Sequence, residues 1–145
     1  MKRNPALVTL SHDHHQALFV AQGMRRVDAG DAEECRGAFR AFWNGAAERH
    51  FETEERVLLP AFAEYGDPHG PLVLQILGDH VELRRRARSV LATEVADAEA
   101  LRVLGKRLAE HVRLEERELF PLIEATLPAD RLGRLAAELA APPAP

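Results

Sequence analysis

The sequence predicts an all-α protein, an up-down-up-down four-helix bundle with a short fifth helix at the carboxyl end. Only 6% of the 145 residues are aromatic, whereas Ala, Leu, Arg and Glu, which favour helices, are abundant. Apolar residues recur every three or four positions, which is the period of an amphipathic helix. The breaks between these segments are short, and short loops favour antiparallel neighbours in a bundle.

Local signals bound each predicted helix. GDPHGP at 66–71 is the clearest break, and AGD at 29–31 is the first. The predicted helices run from near Pro5 or Thr9 to just before AGD, and then over about Ala32–Tyr65, Pro71–Glu94, Ala98–Leu127 and Asp130–Ala140. The PPAP tail is predicted to be frayed. The length fits a single domain spanning 1–145.

Each of the four long helices has an apolar stripe with core spacing, and each stripe contains one histidine. In chain order the predicted core positions are Leu7, Leu10, His14, Ala17, Ala21 and Met24; Phe39, Trp43, Ala46, His50, Glu54, Val57 and Ala61; Val73, Ile76, His80, Leu83, Ala87 and Val90; and Leu101, Leu104, Leu108, His111, Glu115, Leu119 and Leu122.

The chain contains an internal repeat of a helix pair. HFETEERVLLP at 50–60 and HVRLEERELFP at 111–121 match at six of eleven positions, including His and Glu four apart. A weaker overlay places DHHQALFVA at 13–21 on DHVELRRRA at 79–87. The weaker overlay favours His14 over His12 and His15, although His15 stays open as a replacement or supplement.

The repeated spacing indicates a metal site. Residues four apart share one face of a helix, so each His-Glu pair can reach one ion, or the Glu can bridge two. An unpaired carboxylate at the core positions Glu54 and Glu115 would cost several kcal/mol. Four helices could together hold two ions about 3.5 to 4 Å apart. The alternative is an ordinary His-Glu pair on a solvated helix, with packed histidines and no metal.

Composition excludes several other classes. The net charge of −4 argues against nucleic-acid binding, and no apolar run approaches the length of a membrane span. We therefore expect a soluble cytoplasmic protein. The lone Cys35 leaves His and carboxylates as the available ligands. The basic cluster Arg84, Arg85, Arg86 and Arg88 is interpreted as a solvated face, with an anion patch as the alternative.

The order His, His-x-x-x-Glu, His, His-x-x-x-Glu, with EExxL[LF]P after each pair, resembles the hemerythrin-like, or HHE cation-binding, domain. The resemblance extends from about Leu10 to Leu127. It implies a four-helix bundle around two non-haem iron ions, bridged by two carboxylates and an oxo or hydroxo group. It implies the ligands His14, His50, Glu54, His80, His111 and Glu115, with Glu54 and Glu115 as the bridges. Ferritin-like di-iron proteins differ, because they use Glu-x-x-His.

Two departures from the oxygen-carrying hemerythrins bear on function. Those proteins have a fifth histidine where this chain has Arg84, and an Asp five residues after the last ligand His where this chain has Glu115 at four. The resemblance implies binding of oxygen or a related small molecule, in storage, sensing or delivery. The alternatives are an enzyme consuming peroxide or nitric oxide and an iron-responsive regulatory module, and no protein partner is indicated.

Residues adjacent to the motif carry further expectations. Glu55 and Glu116 lie about 100° around the helix from the neighbouring Glu, so they are interpreted as surface groups or supports for the ligands. Pro60 and Pro121 each follow a ligand Glu by six residues and should bend or end their helices. His69 falls in a predicted loop and is interpreted as a solvent-exposed residue.

Overall fold

The computed structural model describes residues 2–141, and these residues contain helices and no strand. The PPAP tail, predicted to be frayed, lies outside the described residues. After a 3₁₀ turn at Pro5–Leu7, the α-helical segments are α1 (Val8–Arg25), α2 (Ala32–Phe42), α3 (Glu48–Thr53), α4 (Leu59–Ala63), α5 (Pro71–Ala92), α6 (Ala98–Leu114), α7 (Phe120–Thr126) and α8 (Ala129–Ala140).

Several of these segments are joined by π-helical turns into longer continuous helices. We call these helices, together with the uninterrupted α1 and α5, the four long rods. The turns Trp43–Ala47 and Glu54–Leu58 connect α2, α3 and α4 into one rod, and Glu115–Leu119 connects α6 to α7. Counted as rods, the described residues form the four long helices and the short fifth helix that the sequence predicted. Most ends fall within two residues of the predicted ones. No helix among residues 2–141 combines the length and apolar content needed to cross a membrane.

The four long rods pack in the order expected of an up-down-up-down bundle. Helix α1 lies against α6 and α2, and α5 lies against α6 and α2. The contact between α1 and α6 is close, because a Cβ on the buried Gly105 would stand 2.8 Å from the carbonyl oxygen of Ala21. Helix α8 covers the end of the bundle near the 3₁₀ turn and the π turn at Glu54–Leu58.

The apolar core is divided into two clusters. One includes Phe39, Trp43 and Leu104, and the other includes Leu58 and Phe120. In each rod the buried histidines and glutamates lie close to the point in the chain where one cluster gives way to the other, although Phe51 and Val112 of the first cluster come directly after His50 and His111. The polar layer therefore separates two apolar halves of the bundle.

The predicted core stripes are largely correct, and their misses at Ala46, Val57 and Leu122 fall within or just after π turns, where the next residue along the chain is buried instead. Leu122, predicted to be buried, is 38% exposed, whereas Ile123 is fully buried. In the second rod Leu58 is fully buried and the predicted Val57 only half-buried. A π turn contains one residue more than an α turn, so the helix face that points inward moves forward by one position.

Candidate metal centre

Six buried side chains meet in the polar layer at the middle of the four rods. They come from α1, α3, α5, α6 and two of the π turns. Glu54, His80 and Glu115 have no exposed surface at all. The six residues are those named from the sequence: His14, His50, Glu54, His80, His111 and Glu115.

The six residues form two groups that share both glutamates. One group is His14 and His50 with Glu54 and Glu115, and the other is His80 and His111 with the same two carboxylates. Within each group, one candidate ligand atom from every residue lies within 4.8 Å of the others. Each group could therefore hold one metal ion.

Each glutamate offers one oxygen to each histidine pair. The Oε2 atom of Glu54 lies 3.1 Å from His50 Nε2, and its Oε1 atom lies 3.1 Å from His80 Nε2. The Oε1 atom of Glu115 lies 2.8 Å from His14 Nε2, and its Oε2 atom lies 3.1 Å from His111 Nε2. Two carboxylates placed this way can bridge two ions.

Unpaired buried atoms show that the residues present fit a metal. Among the described residues, both oxygens of Glu54, one oxygen of Glu115 and the Nε2 atoms of His80 and His111 are buried without a hydrogen-bond partner. Leaving such groups unpaired is costly. Cations would satisfy all of them at once, and imidazole nitrogen with carboxylate oxygen is a donor set that suits transition metals.

The outward-facing nitrogen of each of the four histidines bonds to a carboxylate. Glu116 lies 2.8 Å from His14 Nδ1, and Glu55 lies 2.7 Å from His80 Nδ1. Asp13 lies 2.9 Å from His50 Nδ1, and Asp79 lies 3.0 Å from His111 Nδ1. An Nδ1–H that donates to a carboxylate leaves Nε2 free to bind a metal.

These contacts explain residues on which sequence analysis was incomplete. Glu55 and Glu116 support histidines and do not point into the centre, in line with their predicted place beside the ligands. Asp13 and Asp79 were not predicted to take part in the site. The available signal was the Asp-His dipeptide, which occurs in both copies of the repeat.

Arginine and serine side chains fix the supporting glutamates in turn. Arg84 donates to the Oε2 atom of Glu55 at 2.7 Å, and the same oxygen contacts Nδ1 of His80. On the other side Ser11 donates to Glu116 at 2.9 Å, and Arg3 forms an ion pair with it at 3.5 Å. Arg84 therefore contributes to the site through Glu55 and not as a ligand.

The rest of the basic cluster lies on a solvated face. Arg85 and Arg86 both donate to Glu82, at 2.8 and 2.9 Å. These pairs lie within one turn of the same helix, as expected for charged residues at that spacing. They agree with the interpretation of a solvated face.

The carboxylates outweigh burial in setting the charge of the histidines. Burial alone lowers the pKa of His80, but Glu115 and Glu54 raise the pKa to about 9. Burial likewise opposes the charged form of His111, and Glu115 and Asp79 raise its pKa to about 10. Burial would raise the pKa of Glu115, yet His111 and His14 hold it well below its usual range. The metal-free centre is thus a cluster of opposite charges at ion-pair distance, in which several of the facing atoms still lack a hydrogen bond.

The remaining histidines lie outside this network. His12 and His15 are exposed and stack on each other at 6.1 Å. The structure therefore does not bring His15 into the centre, and His14 takes that place. The side chain of His69, in the loop before α5, is 86% exposed, as expected.

A small apolar cavity adjoins one side of the centre. Its volume is about 20 Å³. The polar part of its lining includes His14, His50, His111 and Glu115. A space of this size holds about one water-sized molecule. The ring of Phe120 stacks on His14 at 5.1 Å, and the ring of Phe51, which also lines the cavity, stacks on His80 at 4.2 Å.

Comparison with known proteins gives one match. A model of the hemerythrin HHE cation binding domain matches residues 6–123. No curated protein and no solved structure matches the chain significantly. The matched range includes all six side chains that converge in the centre.

Proposed function

Because the chain belongs to the hemerythrin HHE cation-binding domain family, we propose that it is a non-haem di-iron protein that binds oxygen or a related small molecule, in storage, sensing or delivery. The observation that carries the proposal is that Glu54 and Glu115 each offer one oxygen to either histidine pair. The proposed ligands are His14, His50, Glu54, His80, His111 and Glu115.

The protein residues prepare the centre before any small molecule arrives. Glu54 and Glu115 supply the negative charge that neutralises the cations. Asp13 and Asp79, with Glu55 and Glu116, hold the Nδ1 protons and so direct the Nε2 atoms inward. The apolar walls limit access of water. Iron would supply coordination positions for the small molecule and the electrons that reversible oxygen binding requires.

A second function, turnover of peroxide or nitric oxide, is favoured by Arg84. This side chain is bonded to Glu55 and contributes no nitrogen to the centre. Each proposed ion therefore has only two histidines and two shared carboxylates from the protein. The coordination positions left over at both ions would accommodate reacting molecules as well as a reversible ligand.

Iron content tests the proposed centre directly. Protein purified without chelator and reconstituted with iron should hold about two ions per chain, as in other two-metal sites. Glu54→Ala and Glu115→Ala should abolish binding, because each removes a shared ligand of both ions. Glu52→Ala, which removes an exposed carboxylate between His50 and Glu54 in the sequence, is the matched control. Full iron content in both ligand variants would contradict the ligand set.

Rapid-mixing spectroscopy separates the two functions. A stable adduct that forms with oxygen and is reversed when oxygen is removed supports carriage or sensing. Rapid consumption of peroxide or nitric oxide by the iron-loaded protein supports the enzyme. Glu54→Ala serves as the control in both measurements, since it should lack the centre.

A further inference from the structure

The two copies of the repeat differ in side-chain size beside the centre. In the first copy three positions there are alanines, and their counterparts in the second copy are larger. Under the two overlays the pairs are Ala17 and Leu83, Ala46 and Arg107, and Ala47 and Leu108. The duplicated architecture is therefore more open on one side than on the other.

The small residues of the first copy line the cavity that adjoins the centre. Ala17, Ala46 and Ala47 form part of its apolar wall. The cavity also meets His111 and Glu115, which have a buried Nε2 atom and a buried Oε2 atom without hydrogen-bond partners among the described residues. The cavity therefore borders the candidate metal centre, in which buried polar atoms still lack hydrogen bonds.

A surface cleft shares part of its lining with this cavity. The cleft has a volume of about 620 Å³ and lies between α1, α3 and the end of α8. Asp13, Ala46 and His50 line both the cleft and the cavity. These three side chains therefore form the boundary between solvent and the centre. The side chain of Asp13 is 42% exposed while it bonds to His50, so the boundary is thin.

The corresponding region of the second copy is lined by larger side chains. A cleft of about 390 Å³ reaches Asp79 and His111, but Leu83 and Arg107 line it in place of the two alanines. Gln75 donates to Asp79 at 2.9 Å and occupies the remaining carboxylate oxygen. The counterpart of Ala47 is Leu108, a larger buried side chain that also borders the cavity beside the first copy.

We infer that small ligands reach the centre through the cleft beside Asp13, and that Ala46 sets the size of the molecule that can pass. The inference rests on the proposed function, because it concerns the ligands that an iron centre would bind. It adds a route and a residue that limits the size of ligand, neither of which follows from the ligand set.

Azide binding to the iron(III)-loaded protein tests the route. In the graded series Ala46→Val, Ala46→Leu and Ala46→Phe, the association and dissociation rate constants should fall together, by about tenfold for Phe, which corresponds to about 1.4 kcal/mol of added barrier. The dissociation constant should stay nearly unchanged, because a barrier on the path slows both directions equally. Ala41→Phe, exposed on the same rod, should match the wild type.

A second measurement needs no metal. Trp43 is the single tryptophan, is 6% exposed and lies 5.6 Å from the cavity residue Phe51 between ring centroids. Dissolved oxygen should quench its fluorescence in metal-free protein less efficiently as the side chain at Ala46 grows. Ala41→Phe should leave the quenching constant unchanged.

The outcomes separate this inference from the proposed function. If the wild type loads no iron, the proposed function fails, and oxygen quenching still tests the path. Azide rate constants and oxygen quenching that do not respond to Ala46→Leu or Ala46→Phe would overturn the route. A change in the dissociation rate constant alone would also overturn it, because Ala46 would then affect the bound ligand and not its passage.

Discussion

At the scale of single residues, four carboxylates determine how the histidines present themselves. Each Asp comes directly before one histidine in sequence but bonds to another on a neighbouring rod. Asp13 precedes His14 and bonds His50, and Asp79 precedes His80 and bonds His111. Each Asp-His dipeptide therefore contributes a candidate ligand from its own rod, and its Asp orients the histidine of the neighbouring rod. The two helices of each copy are linked in this way.

Removing either Asp should weaken metal binding without abolishing it. Asp13→Ala and Asp79→Ala leave Nδ1 of the partner histidine unsupported, and loss of such a contact reduces metal affinity about 10- to 100-fold. Competition with a coloured chelator measures the change. The control is Asp67→Ala, which alters an exposed loop carboxylate. Unchanged metal affinity in both Asp13→Ala and Asp79→Ala would show that these carboxylates do not orient the histidines.

The metal-free protein should lose stability as the pH rises above neutral. Despite burial, carboxylates raise the pKa of His80 to about 9 and that of His111 to about 10. In the unfolded chain these groups titrate near 6.5. Between these values the folded state retains protons that the unfolded state has lost, so the free energy of unfolding falls as the pH rises.

Urea denaturation in the presence of chelator, from about pH 6.5 to about 10, measures this dependence. The iron-loaded protein should not show it, because bound metal requires unprotonated nitrogen. A metal-free protein whose free energy of unfolding rises over the same range would contradict the raised pKa values of His80 and His111.

At the scale of helices, the sequence predicted the rods and the converging histidines and glutamates but not the π turns. Periodicity identifies a helix and its inward face, and that was sufficient to place His14, His50, His80 and His111. It assumes a constant number of residues per turn, however, and the π turns violate this assumption. Pro60 and Pro121 each lie two residues after the end of one of these turns. A proline cannot donate the next helical hydrogen bond, which favours such a local change.

The shift in register has a direct test in adjacent residues. Ile123→Ala should lower the free energy of unfolding by about 2 to 5 kcal/mol, as expected for a fully buried side chain. Leu122→Ala, at the position that regular periodicity places in the core, should change it by no more than about 0.5 kcal/mol. Chemical denaturation of metal-free protein compares the two. The reverse order of effects would show that the helix continues without the π turn.

At the scale of the whole molecule, the proposed ions would link the four rods at the charged layer. Apolar packing holds the rods together only on either side of this layer, in two separate clusters. The charged layer interrupts the core between the cluster around Phe39 and the cluster around Phe120. Side chains that face each other across this layer come from all four long rods. Without metal, they are held by ion pairs alone. A bound pair of cations would replace these with bonds from every rod to a common centre.

Removal of metal should therefore destabilise the entire bundle and not only the site. A ligand that binds the folded state alone adds about 2.7 kcal/mol when its free concentration is about 100 times its dissociation constant. For a chain of this size that corresponds to a rise in Tm of about 5 to 10 °C per ion. Calorimetry with iron and with chelator measures the difference. Glu54→Ala should melt at the same temperature in both, because it cannot retain the ions. A wild-type protein that binds iron yet melts at the same temperature with and without it would show that the ions do not join the rods.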